Sequence, residues 1–166
     1  MEITKLGWFK LSYDELLIEA DKLGVIVKEF KLRTRDGRCH GNRIAINSSL
    51  SEKEKACVLA EELSHYQITV GDISDQSISD NRKEEFKARK VACDKLITPE
   101  CIIKVLLSGA SNIYELAEEL NVTKSFLLDA IHYYKKRYGI YYVGKTHLLT
   151  FEPLSVIDFN PICQAK

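Results

Sequence analysis

Residues 51–66 read Ser-Glu-Lys-Glu-Lys-Ala-Cys-Val-Leu-Ala-Glu-Glu-Leu-Ser-His-Tyr, and the rest of the chain is organised around this stretch. Ser51 followed three residues later by Glu54 is a capping box, which favours the start of a helix at this serine. The apolar residues that follow have the spacing of one helix face: Ala56, Leu59, Ala60 and Leu63. The stretch therefore predicts an amphipathic helix with one buried face.

Three polar residues on this predicted helix form a pattern of their own. Glu61 and His65 are four residues apart, so their side chains lie one above the other. Glu62 is turned from Glu61 by about a third of a circle, because a helix has about 3.6 residues per turn. Two stacked ligands beside a carboxylate is the arrangement of the His-Glu-x-x-His motif of metalloproteases. In this chain Glu61 stands where that motif has its first histidine.

The bulk composition limits the classes of partner. A chain of 166 residues fits one domain, or one domain with a small appendage. Lys plus Arg and Asp plus Glu both number 24, and this balance argues against broad electrostatic binding to nucleic acid or anionic membrane. No stretch is apolar for long enough to span a bilayer, and Asp14 and Glu15 interrupt any signal peptide. The five scattered cysteines favour reduced thiols and a cytoplasmic location.

The segments before the central helix predict one helix and two strands. Periodicity predicts an amphipathic helix over residues 13–23, and alternating or apolar runs predict strands over residues 25–30 and 43–47. The charged segment between the strands contains a turn signal at Asp36-Gly37. We expect the two strands to pair through this bend.

Two segments after the central helix bear on the site. Residues 71–81 are polar and lack periodicity, so we expect a loop over the face to which Glu61 and His65 point. Residues 82–97 predict a helix, and both Glu84 and Glu85 lie near the edge of its apolar face. A carboxylate that faces inward needs a partner. Periodicity alone does not choose between the two glutamates.

The C-terminal third predicts a series of short elements. Helices are expected over residues 99–109, 113–120 and 124–138, followed by a hairpin around Gly144. From residue 151 onward we expect an extended tail, because Pro153 and Pro161 disfavour regular structure.

Residues 113–139 also have the outline of a helix-turn-helix. The start of the second helix would enter the major groove of DNA, but Lys124, Ser125, Phe126 and Leu127 are only partly suited to base edges. The basic footprint is small, and the cluster at residues 135–137 lies at the far end. We therefore interpret the segment as a packing module or a platform for a protein partner, and predict no direct sequence-specific DNA binding.

Four stretches, in this order along the chain, resemble the ImmA/IrrE family of metallo-endopeptidases. Residues 42–47 are similar to the strand that precedes the family's metal helix, and residues 57–66 with 70–73 to that helix and its exit. Residues 85–97 resemble its second metal helix. Residues 115–123, with Tyr134 and Tyr138-Gly139, resemble its C-terminal helical segment.

The resemblance implies an α+β fold in three parts. A small zincin-like metallopeptidase domain is expected at residues 1–98, a helical, helix-turn-helix-like module at 99–140, and the hairpin and tail at 141–166. It also implies a cytoplasmic, metal-dependent endopeptidase. Its target would be a helix-turn-helix repressor of the XRE type that keeps a phage or mobile element silent.

Site residues follow from the resemblance by position. Glu61 and His65 correspond to metal ligands, and Glu62 to the general base. Glu85 corresponds to the third ligand and is preferred over Glu84, because its spacing to the next alanine matches the family. His40 and Tyr66 are further candidates for the site.

The replacement of a histidine by Glu61 changes the expected chemistry. Zinc is the expected metal. Two carboxylates, however, are hard oxygen ligands, and they favour manganese or iron more than two histidines would. They also reduce the positive charge of the site, so catalysis should be slower.

The alternative functions are a non-catalytic pseudo-protease that displaces a repressor by binding it, and a DNA-binding regulator.

Overall fold

A computed structural model describes the backbone of residues 11–71 and 81–158, and the side chains of residues 11–68 and 87–158. The chain divides into two units, one ending at Leu96 and the other beginning at Ile97.

Within its described residues, the first unit contains three helices and three strands. Its helices are α1 (Tyr13–Lys22), α2 (Glu52–Gly71) and α3 (Asn81–Leu96), and its strands are β1 (Ile26–Phe30), β2 (Gly37–His40) and β3 (Arg43–Asn47). These elements confirm the helix before the first strand, both strands and both longer helices that the periodicity predicts. The loop expected over the site falls on residues 72–80, which lie outside the described residues.

The sheet of the first unit differs from the expected hairpin. Its strand order is β1-β3-β2, with β1 parallel to β3 and β2 antiparallel to it. The two predicted strands do pair, but the bend at Asp36-Gly37 does not join them directly. It leads into β2, which returns to β3 through a tight turn where Gly41 adopts a φ of 56°. Sequence reasoning missed β2 because its residues, Gly-Arg-Cys-His, lack the apolar alternation of a half-buried strand.

Helix α2 begins as its sequence predicts. The Ser51 backbone N–H donates to the Glu54 carboxylate at 2.8 Å, and the Glu54 N–H donates back to the Ser51 hydroxyl at 3.4 Å. The Ser51 hydroxyl also donates to the Glu54 carboxylate, at 2.7 Å, and this hydrogen bond together with the one from the Ser51 N–H holds the pKa of Glu54 below its usual value. The capping box therefore fixes where the helix starts, and hence which of its residues face the sheet.

The core of the first unit lies between the sheet and α2. Side chains from β3 and α2 that meet there are fully buried: Ile44, Ile46, Leu59, Ala60 and Leu63. Helix α3 packs along α2 and buries Ala88, Ala92 and Cys93. One face of α2 is thus buried by packing, and the polar residues of the helix lie at the edges of that face.

The described part of the second unit, residues 97–158, consists of three helices and a small sheet. Helices α4 (Pro99–Leu107), α5 (Ile113–Glu119) and α6 (Lys124–Tyr138) are each N-capped by a side chain, those of Thr98, Asn112 and Thr123. Strands β4 (Tyr141–Val143), β5 (His147–Phe151) and β6 (Leu154–Asp158) form an antiparallel sheet in that order. The hairpin predicted around Gly144 is the β4–β5 pair.

The prediction of an extended tail from residue 151 onward is wrong for its first part, which contains the end of β5 and all of β6. Leu154 pairs with Phe151 across a two-residue loop, and β6 runs antiparallel along β5 as far as Asp158. Pro153 lies in the loop, where its missing N–H interrupts no ladder bond. Pro161 lies outside the described residues.

Candidate active site

The candidate site residues of helix α2 lie on two neighbouring faces of the helix. Val58 and Glu62 are one turn apart and face β2, whereas Glu61 and His65 are one turn apart on the neighbouring face. Glu61, Glu62 and His65 are all half-buried. The structure therefore keeps the candidate base and the candidate ligands on adjacent faces of one helix.

Glu62 lies directly against the backbone of β2. A Cβ atom placed at Gly37 would lie 3.0 Å from the Glu62 Oε1 atom and 3.1 Å from its Cγ atom, and would overlap Val58. Only glycine leaves room for this approach. The close contact places the Glu62 carboxylate beside an edge strand of the sheet.

Cys39 is the second residue of β2 on this side. Its thiol donates to the Gly41 carbonyl oxygen at 3.6 Å. Burial raises the pKa of the thiol, and the nearby Glu62 carboxylate raises it further. Cys39 thus stays a neutral thiol beside the candidate base. Sequence reasoning missed it, although β2 places alternate residues on one face and so groups Cys39 with Gly37.

His40 lies on the other face of the sheet. It neighbours Cys39 in β2, so its side chain points away from α2 and lines a cavity together with Lys28 and Arg38. The structure therefore does not bring His40 to Glu62. Tyr66, one turn after Glu62 on α2, is half-buried.

Glu61 forms an ion pair with α3. The Arg89 Nε atom lies 3.9 Å from the Glu61 Oε1 atom, and both side chains are partly exposed. A cation thus lies beside Glu61, the residue at the position where the His-Glu-x-x-His motif has its first ligand. Periodicity could not reveal this contact, because it depends on how α3 packs on α2.

Ser64, within the same motif, is fully buried. Its hydroxyl donates to the Ala60 carbonyl oxygen at 2.6 Å, so no buried polar atom of this side chain is left without a partner. The helix stays regular through the motif.

The family model of the IrrE N-terminal-like domain, peptidase M78, matches residues 19–132, which is more than half of the chain. The chain belongs to this family. Among curated proteins, none matches it. The match includes α2 and α3 in full and extends into α6 of the second unit.

Membership in a metallopeptidase family implies a divalent metal, and the donor chemistry of α2 fits one. Glu61 and His65 offer a carboxylate and an imidazole, both of which divalent zinc, manganese and iron accept. Among the side chains that the structure describes, no three His, Cys, Asp or Glu residues come together as a metal site. The remaining candidates, Glu84 and Glu85, lie on α3, but their side chains fall outside the described part. Residue 85 lies one turn before Arg89 on that helix.

The second unit of this IrrE-like chain uses its helix pair for packing. Phe126 and Leu127, at the start of α6, are buried, and Lys124 donates to the Tyr114 hydroxyl at 2.8 Å. Of the four positions that would reach into a DNA groove, only Lys124 and Ser125 are exposed.

No helix in the described part of the chain is long and apolar enough to cross a membrane. The four cysteines described there are not joined in disulfides: Cys39, Cys57, Cys93 and Cys101.

Proposed function

We propose that this IrrE-like chain is a metal-dependent endopeptidase that cleaves one specific helix-turn-helix repressor of a phage or mobile element. The observation that carries the proposal is the placement of Glu62. Glu62 lies on α2, between Glu61 and His65 in the sequence. In the structure its carboxylate lies against the edge strand β2. Membership in the IrrE N-terminal-like family supports the reaction class.

Glu62 is the proposed general base. A carboxylate beside the attacking water accepts its proton and later delivers that proton to the leaving amine of the cleaved peptide bond. The half-buried position of Glu62 restricts its motion, because its Oε1 and Cγ atoms fill the space beside Gly37 on the sheet side. The carboxylate is thus held in one place throughout the proton transfers.

The metal, which we expect to be zinc, would be held by Glu61, His65 and Glu85. When bound, a divalent ion polarises the scissile carbonyl and makes water more acidic. Two carboxylates in the donor set favour manganese or iron as alternatives. The arrangement should bind metal more weakly than a site with two histidines.

The polypeptide substrate has a natural place to lie. Strand β2 is an edge strand whose inner neighbour is β3, and an extended peptide can add to such an edge through backbone hydrogen bonds. Within the described residues, no further strand covers this edge. A repressor segment that pairs there would pass close to Glu62. We place this reaction in the cytoplasm, where a repressor acts.

A second candidate function is that of a non-catalytic antirepressor, and one observation favours it. The Arg89 guanidinium already neutralises Glu61, as a metal would do. A chain that relied on this ion pair would keep the shape of the family's site without its metal. It would then act by binding the repressor and displacing it from DNA.

Glu62→Gln separates the two functions. The variant keeps the size and hydrogen bonding of the side chain but cannot accept the proton. In co-expression with the repressor encoded beside it, we expect cleavage to fall by about 10² to 10⁴, the usual contribution of a positioned acid or base. Release of the repressed promoter should fall with it, as read by a reporter.

A matched control is Glu119→Gln, at an exposed position of α5. It should leave both readouts unchanged. Full derepression by Glu62→Gln, with the repressor intact on a blot, would end the protease proposal and establish the antirepressor.

A further inference from the structure

The face of the first sheet that points away from α2 is basic and open. We call it the basic face, and its residues come from alternate positions of all three strands: Ile26, Lys28 and Phe30 of β1, Arg43 and Ala45 of β3, and Arg38 and His40 of β2. These residues line a cavity of about 450 Å³. The volume lies within the range of about 300–1,000 Å³ that is typical of ligand sites.

The register of the strands sets the order of side chains across this face. Lys28 and Arg38 both pair with Ala45, so one row reads Lys-Ala-Arg across the sheet. In the next row, Ile26 and His40 both pair with Arg43. The small Ala45 side chain at the centre produces the depression, and cations stand on both sides of it.

Lys28, Arg38 and Arg43 form no ion pair with a carboxylate of the described residues. Glu29, the acidic residue of β1, points to the other face, where it pairs with Lys55 at 3.0 Å and accepts from Tyr13 at 3.1 Å. Because the whole chain has a net charge of zero, this positive charge is local.

The basic face also has exposed apolar surface. Ile26 and Phe30 are 47% and 51% exposed, although both belong to a strand of the sheet. The loop that follows β1 carries the exposed cations Lys31, Arg33 and Arg35 and one exposed acidic residue, Asp36. Apolar side chains beside cations that form no ion pair indicate a ligand that carries both apolar groups and negative charges.

We propose that the basic face binds an extended, acidic segment of a partner protein, with an apolar side chain in the cavity and carboxylates on Lys28, Arg38 and Arg43. Guanidinium groups bind carboxylates through paired hydrogen bonds, which gives such a contact direction as well as charge. Alternate residues of an extended peptide point the same way. A segment with acidic residues on either side of an apolar one therefore matches the basic face.

Single-stranded nucleic acid fits this surface less well. Binding of that kind uses aromatic side chains on which successive bases stack, and Phe30 is the one Phe, Tyr or Trp residue on the basic face. The balanced charge of the whole chain also provides little general attraction to phosphate. The site faces away from Glu62, so it can be tested separately from cleavage.

The experiment uses the full chain and a displayed library of random twelve-residue peptides. Binders are selected on the parent protein and compared with the triple variant Lys28→Glu, Arg38→Glu, Arg43→Glu. The matched control reverses three exposed cations elsewhere: Lys22→Glu, Lys90→Glu and Lys145→Glu. Thermal unfolding of each protein checks that it folds, and a fluorescent single-stranded oligonucleotide is titrated in parallel.

The proposal predicts enriched peptides that combine acidic and apolar residues. Their affinity should fall more than tenfold in the triple variant and less than twofold in the control, and it should weaken as salt rises. Phe30→Ser, which removes only apolar surface, should also weaken them. Enriched peptides that bind the folded triple variant as well as the parent, or a failure to enrich any, would overturn the proposal. If the oligonucleotide bound the parent and the control but not the triple variant, the ligand of the basic face would be nucleic acid instead of a peptide.

Discussion

The Glu62 carboxylate fills the space in which a side chain at Gly37 would stand: its Oε1 atom lies 3.0 Å from the position of a Cβ atom there. This contact joins α2 to β2 at the position of the proposed base. It also means that the residue type at Gly37 controls the position of Glu62. The first prediction follows from this relationship.

We expect Gly37→Ala to reduce cleavage by displacing Glu62. The new methyl group overlaps Val58 and crowds Glu62, and overpacking of this kind costs about 1–3 kcal/mol of stability. The double variant Gly37→Ala, Val58→Ala removes the worse overlap, so it should recover stability but not full activity. Chemical denaturation and repressor cleavage measure the two effects. Full activity in a folded Gly37→Ala variant would show that Glu62 tolerates displacement.

Local signals in the sequence were sufficient for the elements that carry the site. The capping box of Ser51 and Glu54 and the apolar period of α2 are short-range features, so they predict the start of the helix and its buried face. The pairing of β1 with β3 is long-range. Nothing in the alternation of β1 or β3 shows whether the two strands run parallel. Strand β2 has too few apolar residues to be recognised as a strand from its sequence. The sheet therefore could not be predicted correctly.

The same limit applies within the site. Stacking of Glu61 and His65 follows from helix geometry and needs no tertiary information. The contact of Glu61 with Arg89 depends on the packing of α3 on α2, which periodicity does not specify. In this segment, sequence reasoning kept His40 as a possible member of the site and did not consider Cys39. A shift of one residue along a strand exchanges its faces, so Cys39 is the residue beside Glu62.

His65→Ala should abolish most metal binding. We predict about one divalent ion per chain in the parent protein purified without chelator, because one imidazole and two carboxylates supply three ligands. Metal analysis of both proteins measures the difference. His40→Ala is the matched control, since His40 lies on the opposite face of the sheet and should leave the metal content unchanged. Equal metal content in His65→Ala would exclude this site.

Glu85→Ala should cost both metal and activity, whereas Glu84→Ala should cost little. The prediction rests on the family's spacing, which places the third ligand at residue 85. Metal content and repressor cleavage are measured for both single variants, each serving as the control for the other. The opposite result would move the ligand by one residue and rotate the ligand-bearing face of α3 by about 100°, from 3.6 residues per turn.

The isolated protein should show no sequence-specific DNA binding. Phe126 and Leu127 are buried at the start of α6, and Lys124 bonds to Tyr114, so few side chains remain to contact bases. A gel shift with the promoter region of the repressor measures this, with a scrambled duplex as the control. A specific shift that survives about 150 mM salt, where nonspecific phosphate contacts weaken strongly, would contradict the prediction.

Arg89→Ala tests how the ion pair with Glu61 relates to the metal. In the proposed peptidase a metal ligated by Glu61 competes with the Arg89 guanidinium, which lies 3.9 Å away. Removing the guanidinium should therefore raise metal affinity, by at most about fivefold, because a partly exposed ion pair contributes about 0–1 kcal/mol. Titration against a coloured chelator measures the affinity, with Lys90→Ala on the same helix as the control. If Arg89 instead orients Glu61 toward the metal, affinity will fall on its removal. A protein that acts without metal would bind none in either form, while Arg89→Ala would weaken its effect on the repressor.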